Sequence, residues 1–170
     1  SLYDLGTNGD QLNFVTTFAT PGAASALTIY NGLGYVADGT AGVQVVHYRP
    51  FDTLKIAPSV TLSATSIGGA VLEGSFVPVF AAATDDVQVR NVEFYVDGVK
   101  AETDGNFPFE TRLLAPHQTP GKTTATFRAK ATDTGGNSAW SNETILNLSL
   151  ESTPPTVLAM TPPNSQFLAQ

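Results

Sequence analysis

The sequence predicts an all-β fold, in which a two-layer β-sandwich follows a small N-terminal β-meander. Helical periodicity is nearly absent from the 170 residues, and short apolar alternations recur instead. Clusters of Gly, Pro, Asn and Asp separate these alternations, as turns separate strands. Hydrophobic residues make up 42% of the chain and charged residues 14%, which is typical of a chain that folds.

Composition argues against several classes of function. Lys and Arg number 8 against 15 Asp and Glu, so the formal net charge is −7, and neither nucleic acid nor an anionic membrane is expected as a partner. Membrane insertion is not expected, because no apolar run approaches the ~18 residues of a spanning segment. The lack of cysteine excludes disulfides, thiolate metal sites and cysteine nucleophiles.

Residues 1–50 have the pattern of one four-stranded unit. The runs around Asp4 and His47 resemble each other at an offset of roughly 40–45 residues, the length of one propeller blade. Val43, Val45 and Val46 leave neither face of their strand polar. We therefore expect this strand to be covered on both sides.

Two motifs of this unit resemble the LVIVD-type repeat of bacterial surface β-propellers. The matching residues begin with Pro21-Gly22. The two motifs that follow are Leu33-Gly34-Tyr35-Val36-Ala37-Asp38-Gly39 and Gly42-Val43-Gln44-Val45-Val46. The resemblance implies a blade-like unit, and a plain β-meander is the alternative. A single blade has faces that require neighbours. We therefore expect residues 1–50 to pack against the sandwich or to self-associate with another copy of the chain.

Residues 51–57 are a predicted connector, and residues 58–150 carry the pattern of the sandwich. Seven short strands over about 90 residues match the size of an immunoglobulin-like β-sandwich. The run 76–83 is apolar at both parities, so it is expected to be deeply buried. Val92, Phe94 and Val96 are expected to point inward before a hairpin turn at Asp97-Gly98.

This second region resembles the bacterial Ig-like modules of secreted proteins. The residues that carry the resemblance are Val92-Glu93-Phe94-Tyr95-Val96-Asp97-Gly98, Ala129-Lys130-Ala131-Thr132-Asp133 and Gly135-Gly136-Asn137. This resemblance implies a module that lies between catalytic or adhesive domains of a longer chain. Residues 151–170, with their Pro-Pro pairs, are predicted to be a Pro-rich linker or the start of a further Ig-like module. We therefore expect a truncated segment of a longer modular protein.

Three acidic turns are predicted at one end of the sandwich, because successive strands run antiparallel. A hard cation binds several carboxylate, amide or carbonyl oxygens, and calcium tolerates irregular loop geometry better than magnesium. The alternative is that Asp is simply a favoured turn residue. The candidate calcium ligands are Asp85, Asp86, Asp104, Asp133 and Asn137, with Asn106 as a further donor of oxygen.

Other side chains suggest little chemistry. The two histidines, His47 and His117, lie far apart in the sequence, so neither a catalytic residue nor an enzyme is predicted. Trp140 and Tyr95 could form a platform on which a sugar stacks. However, Trp140 has the parity of Leu146 and Leu148 in a run predicted as one strand over 138–150, which favours packing.

These observations predict a non-catalytic module of a secreted or cell-surface bacterial protein. Its expected role is spacing, presenting or adhering, with calcium as a stiffener and neighbouring modules as partners. One alternative is a carbohydrate-binding accessory module of a polysaccharide-degrading enzyme. Another is a non-catalytic fragment of a propeller enzyme.

Overall fold

The chain is all-β in a computed structural model that describes residues 1–4 and 11–152. This confirms the predicted fold class, and a single 3₁₀ turn at Gly39–Ala41 accompanies the strands within those ranges. No helix of the described part is long and apolar enough to cross a membrane. The predicted linker lies beyond these ranges from residue 153 onward. The strands are β1 (Leu2–Asp4), β2 (Asn13–Thr16), β3 (Ala26–Tyr30), β4 (Leu33–Ala37), β5 (Val43–Val46), β6 (Ser59–Ala64), β7 (Ala70–Leu72), β8 (Phe76–Thr84), β9 (Val89–Val96), β10 (Val99–Asp104), β11 (Glu110–Leu114), β12 (Thr124–Asp133), β13 (Ser138–Trp140) and β14 (Thr144–Ser149).

Two sheets form the sandwich. One has the strand order β11-β8-β6, and the other has the order β10-β9-β12-β14-β7, with β13 pairing with β12. All these pairs are antiparallel except β14 with β7, where Asn147 lies opposite Ala70. The two-residue turn at Asp97-Gly98 joins β9 to β10, as predicted, and both residues have positive φ angles of 50° and 79°.

The core lies between these sheets because one parity of each strand points inward. Phe94 on β9 and Phe127 on β12 are completely buried, and Val77 and Val79 on β8 face them from the other sheet. Burying a side chain of this size contributes roughly 1.5–3 kcal/mol. The predicted inward positions of β9 are confirmed, with Val92 and Phe94 fully buried.

Strand β8 corrects one prediction, because only one of its two apolar faces is buried. Val77, Val79 and Ala81 are in the core, whereas Phe76 and Phe80 are 68% and 40% exposed. An antiparallel sheet commonly packs on one face alone. Among the described residues no second layer covers the outer face of this sheet.

The predicted strand over 138–150 is also wrong, because it is broken between β13 and β14. The buried Ser141 hydroxyl accepts a hydrogen bond from the Ala129 amide (2.9 Å) and donates to the Asn142 carbonyl (2.7 Å). This break resets the alternation of side chains. Trp140 therefore lies 45% exposed on the outer face instead of packing with Leu146.

The N-terminal unit, residues 1–50, contains the predicted β-meander. Strands β3, β4 and β5 pair in that order, while β1 and β2 form a separate hairpin. The fully buried Asp38 carboxylate holds the preceding loop by accepting hydrogen bonds from the Thr20 hydroxyl and the Gly22 amide, both at 2.8 Å. Val43 and Val45 remain 66% and 54% exposed. The expected cover on both sides of β5 is absent from the described residues.

Candidate functional site

Three acidic turns lie at one end of the sandwich, here called the upper rim: residues 85–88 after β8, 104–106 after β10 and 133–137 after β12. The strand pairing places Asp104 opposite Val92 and Asp133 opposite Val89, at the same end of β9. Asp97 lies at the other end, where its carboxylate contacts the Lys122 ammonium at 2.6 Å. The predicted grouping of turns is thus present in the fold.

The acidic side chains of the upper rim serve their own turns. Asp85 accepts hydrogen bonds from the Gln88 amide (2.8 Å) and Asp104 from the Asn106 amide (2.9 Å), while Asp86 is exposed. Buried Asp133 accepts from the backbone amide of Asn137 (2.8 Å). In the part of the chain that the structure describes, no three carboxylate or imidazole groups are close enough to hold one metal ion. Calcium binding stays a prediction.

The N-terminal unit contacts the upper rim through the turn between β3 and β4. The Asn31 amide donates to the Gly105 carbonyl at 3.1 Å. The side chain of Asn91 donates to the Asn31 side-chain oxygen at 3.4 Å. In the amide orientation that hydrogen bonding favours, the Asn106 nitrogen donates to the Ile29 carbonyl at 2.6 Å. Packing of residues 1–50 against the sandwich, the first of the two expected contacts, is therefore observed.

The connector makes a second contact with the rim. The Asn137 side-chain nitrogen donates to the Asp52 carboxylate and to the Asp133 carboxylate, both at 2.9 Å. The two protons of one amide group thus hold two carboxylates. A hydrogen bond from the Gln88 side chain to the Tyr48 hydroxyl adds a third point of attachment.

Glycines permit this close approach. A Cβ atom on Gly105 would lie 2.7 Å from the Asn31 oxygen, and one on Gly135 would lie 2.3 Å from an Asp52 oxygen. Gly32 has a φ of 72°, and its Cβ would lie 2.7 Å from the Thr134 methyl group. Larger residues would separate the two units at all three positions. We call this contact region the joint; its residues are Asn31, Gly32, Tyr48 and Asp52 on one side and Gln88, Asn91, Gly105, Asn106 and 134–137 on the other.

Sequence reasoning found the rim but missed the joint. Asn31-Gly32 is a hairpin signal that carries no information about a partner. Asp52 lies in a stretch predicted only as a connector, and it meets Asn137 across 85 positions of sequence. The grouping of carboxylate and amide oxygens at one end of the sandwich favours either a cation or simple turn formation. The structure shows a third use, because the amide groups of Gln88, Asn106 and Asn137 pair with Tyr48, Ile29 and Asp52.

The outer face of the larger sheet carries the aromatic pair that could stack on a sugar. The Tyr95 and Trp140 ring centroids are 4.7 Å apart, with 59° between the planes, and the Arg128 guanidinium lies 4.8 Å from the Trp140 ring. The two rings therefore do not share one plane. Such a cation–π contact contributes about 0.5–1 kcal/mol at an exposed site.

Glu93 lies beside these rings and binds two donors. Its carboxylate accepts from the Lys100 ammonium (3.1 Å) and from the Tyr95 hydroxyl (2.9 Å). Burial raises the pKa of Glu93, but these donors lower it by more, so its pKa lies below the usual value. Burial and the neighbouring carboxylate both raise the pKa of Tyr95.

The two histidines lie apart in the fold. His47 packs near the Phe51 ring, with 5.2 Å between centroids. His117 is largely exposed, and its Nδ1 lies 3.7 Å from a Glu73 oxygen.

The part of the chain that matches a known protein family lies in the sandwich. Residues 58–127 match the family described as bacterial Ig domain. Among solved structures, the chain is similar to the fibronectin(III)-like modules of Clostridium thermocellum CbhA, with 19% identity and a TM-score of 0.44 over 53% of this chain and 98% of that chain. No curated protein matches the sequence. Residues 1–50 lie outside the family match, so the propeller repeat stays a prediction.

Proposed function

We propose that this chain is a non-catalytic structural module of a modular, secreted or cell-surface bacterial protein. Its sandwich holds the unit before it in a fixed orientation, and its role is to space, present or adhere. The match of residues 58–127 to bacterial Ig domains supports this, because such domains are generally non-catalytic and typically belong to extracellular or surface proteins.

The joint is the observation that carries this proposal. A flexible linker is rich in Gly and Ser and leaves the units it connects free to reorient. Here three separate turns of the upper rim make contacts: Gly105 and Gln88 with the N-terminal unit, and Asn137 with Asp52 of the connector that follows it. Contacts at three separated points oppose rotation about any single one of them.

Distance measurement between two nitroxide labels tests the proposal. The chain has no cysteine, so Thr40→Cys and Thr123→Cys, both exposed, label one position in each unit. We expect a narrow distance distribution. It should broaden in Gly105→Leu, whose side chain would occupy the place of Asn31, and stay narrow in the control Ala101→Leu on exposed β10. A broad distribution without either change would contradict a fixed orientation.

Calcium is proposed as a stiffener of the upper rim. In support, the Asp85 Oδ1 and Gln88 Oε1 atoms are buried and lack hydrogen-bond partners within the described residues. Carboxylate and amide oxygens are ligands that calcium accepts.

Thermal melts in excess chelator and in millimolar calcium test this role. At 100 times its dissociation constant, a ligand adds about 2.7 kcal/mol of stability. The rise in melting temperature should disappear in Asp85→Ala or Asp133→Ala and persist in Asp97→Ala, at the opposite end. No rise in the unchanged chain would leave the aspartates as turn residues.

A carbohydrate-binding accessory role is the second candidate. The exposure of Trp140 beside Tyr95 favours it. Because Trp140 is the only tryptophan, its fluorescence reports directly on this surface. Titration with soluble polysaccharides should change the emission, and Tyr95→Ala should weaken the response. An unchanged emission across neutral, acidic and basic polysaccharides would remove this candidate.

A further inference from the structure

An exposed apolar stripe runs along the outer face of the three-stranded sheet. Phe76, Pro78 and Phe80 alternate outward on β8, and Leu114 lies opposite Phe76 on β11. Phe76, Phe80 and Leu114 are 68%, 40% and 56% exposed. We call these four residues the stripe.

The apolar side chains of the stripe differ from the polar side chains on the outer face of the other sheet. On the outer face of the larger sheet, alternate residues of β9 and β12 are charged or polar, such as Glu93, Arg128 and Lys130. Contiguous apolar patches on soluble proteins usually mark an interaction surface. The stripe lies outside both the core and the joint, so neither accounts for its apolar residues.

A pair of opposite charges borders the stripe. Glu110 lies opposite Phe80 and Arg112 lies opposite Pro78, two positions apart on the same face of β11. Both side chains are exposed, and neither forms an ion pair with any described residue. They are available to a partner.

We propose that a second copy of this chain packs its stripe against this one about a twofold axis. The axis lies between the two packed sheets, perpendicular to their strands, and passes over β11 midway between Glu110 and Arg112. Each Arg112 then faces Glu110 of the second copy, and each Phe80 faces Pro78 of the second copy. Two sheets that pack face to face lie about 10 Å apart.

The charge order identifies a second copy as the occupant. Two opposite charges spaced along one strand complement the same two charges on an inverted strand, and twofold symmetry forms both ion pairs at once. This contact uses the smaller sheet of the sandwich, so it differs from the self-association predicted for the N-terminal unit. It also goes beyond the spacer role, because it joins two chains side by side.

Sedimentation equilibrium of the intact chain up to millimolar concentration tests the contact. We expect a monomer–dimer equilibrium whose dissociation constant rises by about tenfold or more in Phe80→Ser, since aromatic anchors dominate such interfaces. Ile145→Ser is the matched control, because Ile145 is 60% exposed on the other sheet. A monomer throughout the range overturns the proposal. So does a dimer that Phe80→Ser leaves intact but Val45→Ser, in the N-terminal unit, abolishes.

Exchanging the charges tests the twofold register. Glu110→Arg and Arg112→Glu should each weaken the homodimer, because like charges then face each other across the axis. An equimolar mixture of the two variants should restore a heterodimer, in which both ion pairs form again. Recovery also shows that both variants fold. Homodimers as strong as that of the unchanged chain, or a mixture that stays monomeric, would overturn the register.

Discussion

Glu93 shows how single side chains on the sheet surface couple stability to pH. Its pKa lies below the usual 4.5, because the donors Lys100 and Tyr95 outweigh the effect of burial. The unfolded chain therefore binds this proton at a higher pH than the folded chain does. Stability from Glu93 is present above its unfolded pKa and is lost as the pH falls through its folded pKa.

We therefore expect Glu93→Gln to lose less stability than the unchanged chain on acidification below about pH 4.5, the usual carboxyl pKa. Tyr95→Phe, which removes one donor, should have an intermediate effect. Urea unfolding at a series of pH values measures the difference. Glu102→Gln, at an exposed position on β10, should follow the unchanged chain, and equal slopes for Glu93→Gln and Glu102→Gln would contradict the assignment.

Asn142 substitutes for a neighbouring strand at the edge of β6. Its side chain accepts from the Leu62 amide at 3.0 Å and donates to the Leu62 carbonyl at 3.2 Å. Asn142→Ala should therefore cost about 1–2 kcal/mol of unfolding free energy, because it removes both bonds from a partly buried edge. Asn142→Asp, which keeps the acceptor, should cost less, and Asn147→Ala should cost little. Urea unfolding measures the unfolding free energy of all three variants. Equal losses of unfolding free energy in the three would show that the two hydrogen bonds to Leu62 contribute nothing specific.

At the scale of elements, the sequence predicts strands well where one parity is polar. Alternation of this kind identifies the buried face of β9 and β12. Where both parities are apolar, as in β8, the sequence shows that each face could be buried but not whether another layer exists to cover it. The break at Ser141 depends on a hydrogen bond to Ala129 in the neighbouring strand, and no local pattern reports it. The same holds for the joint, whose partners are distant in sequence.

Two hairpin glycines give a matched test at this scale. Gly98 and Gly32 have similar φ angles of 79° and 72°, but a Cβ on Gly98 meets nothing within 4 Å, whereas one on Gly32 lies 2.7 Å from the Thr134 methyl group. Both alanine variants should lose about 1–2 kcal/mol to backbone strain. Only Gly32→Ala should also broaden the distance distribution between labels at positions 40 and 123. Equal distributions in the two variants would show that the joint tolerates the added methyl group.

For the whole molecule, three surfaces of the sandwich have separate roles. The inner faces of both sheets form the core, the upper rim forms the joint, and the outer face of the smaller sheet carries the stripe. Because the joint and the stripe share no residue, a chain could hold its N-terminal unit and bind a second copy at the same time. Both arrangements leave the core unchanged, so we expect the sandwich to fold independently of the N-terminal unit.

That independence is testable by deletion. The hydrophobic core cluster extends from Val60 to Leu148 and includes no residue of the N-terminal unit. A fragment of residues 58–152 should therefore unfold cooperatively, with its melting temperature lowered by at most about 4–8 °C, the shift that ~1 kcal/mol produces in a domain of this size. A fragment of residues 1–57 should not fold alone, because isolated hairpins and small sheets are marginal in water. Circular dichroism melts measure both. An unfolded 58–152 fragment would mean that the joint supplies stability the core lacks, and the N-terminal unit would then be part of the folding unit.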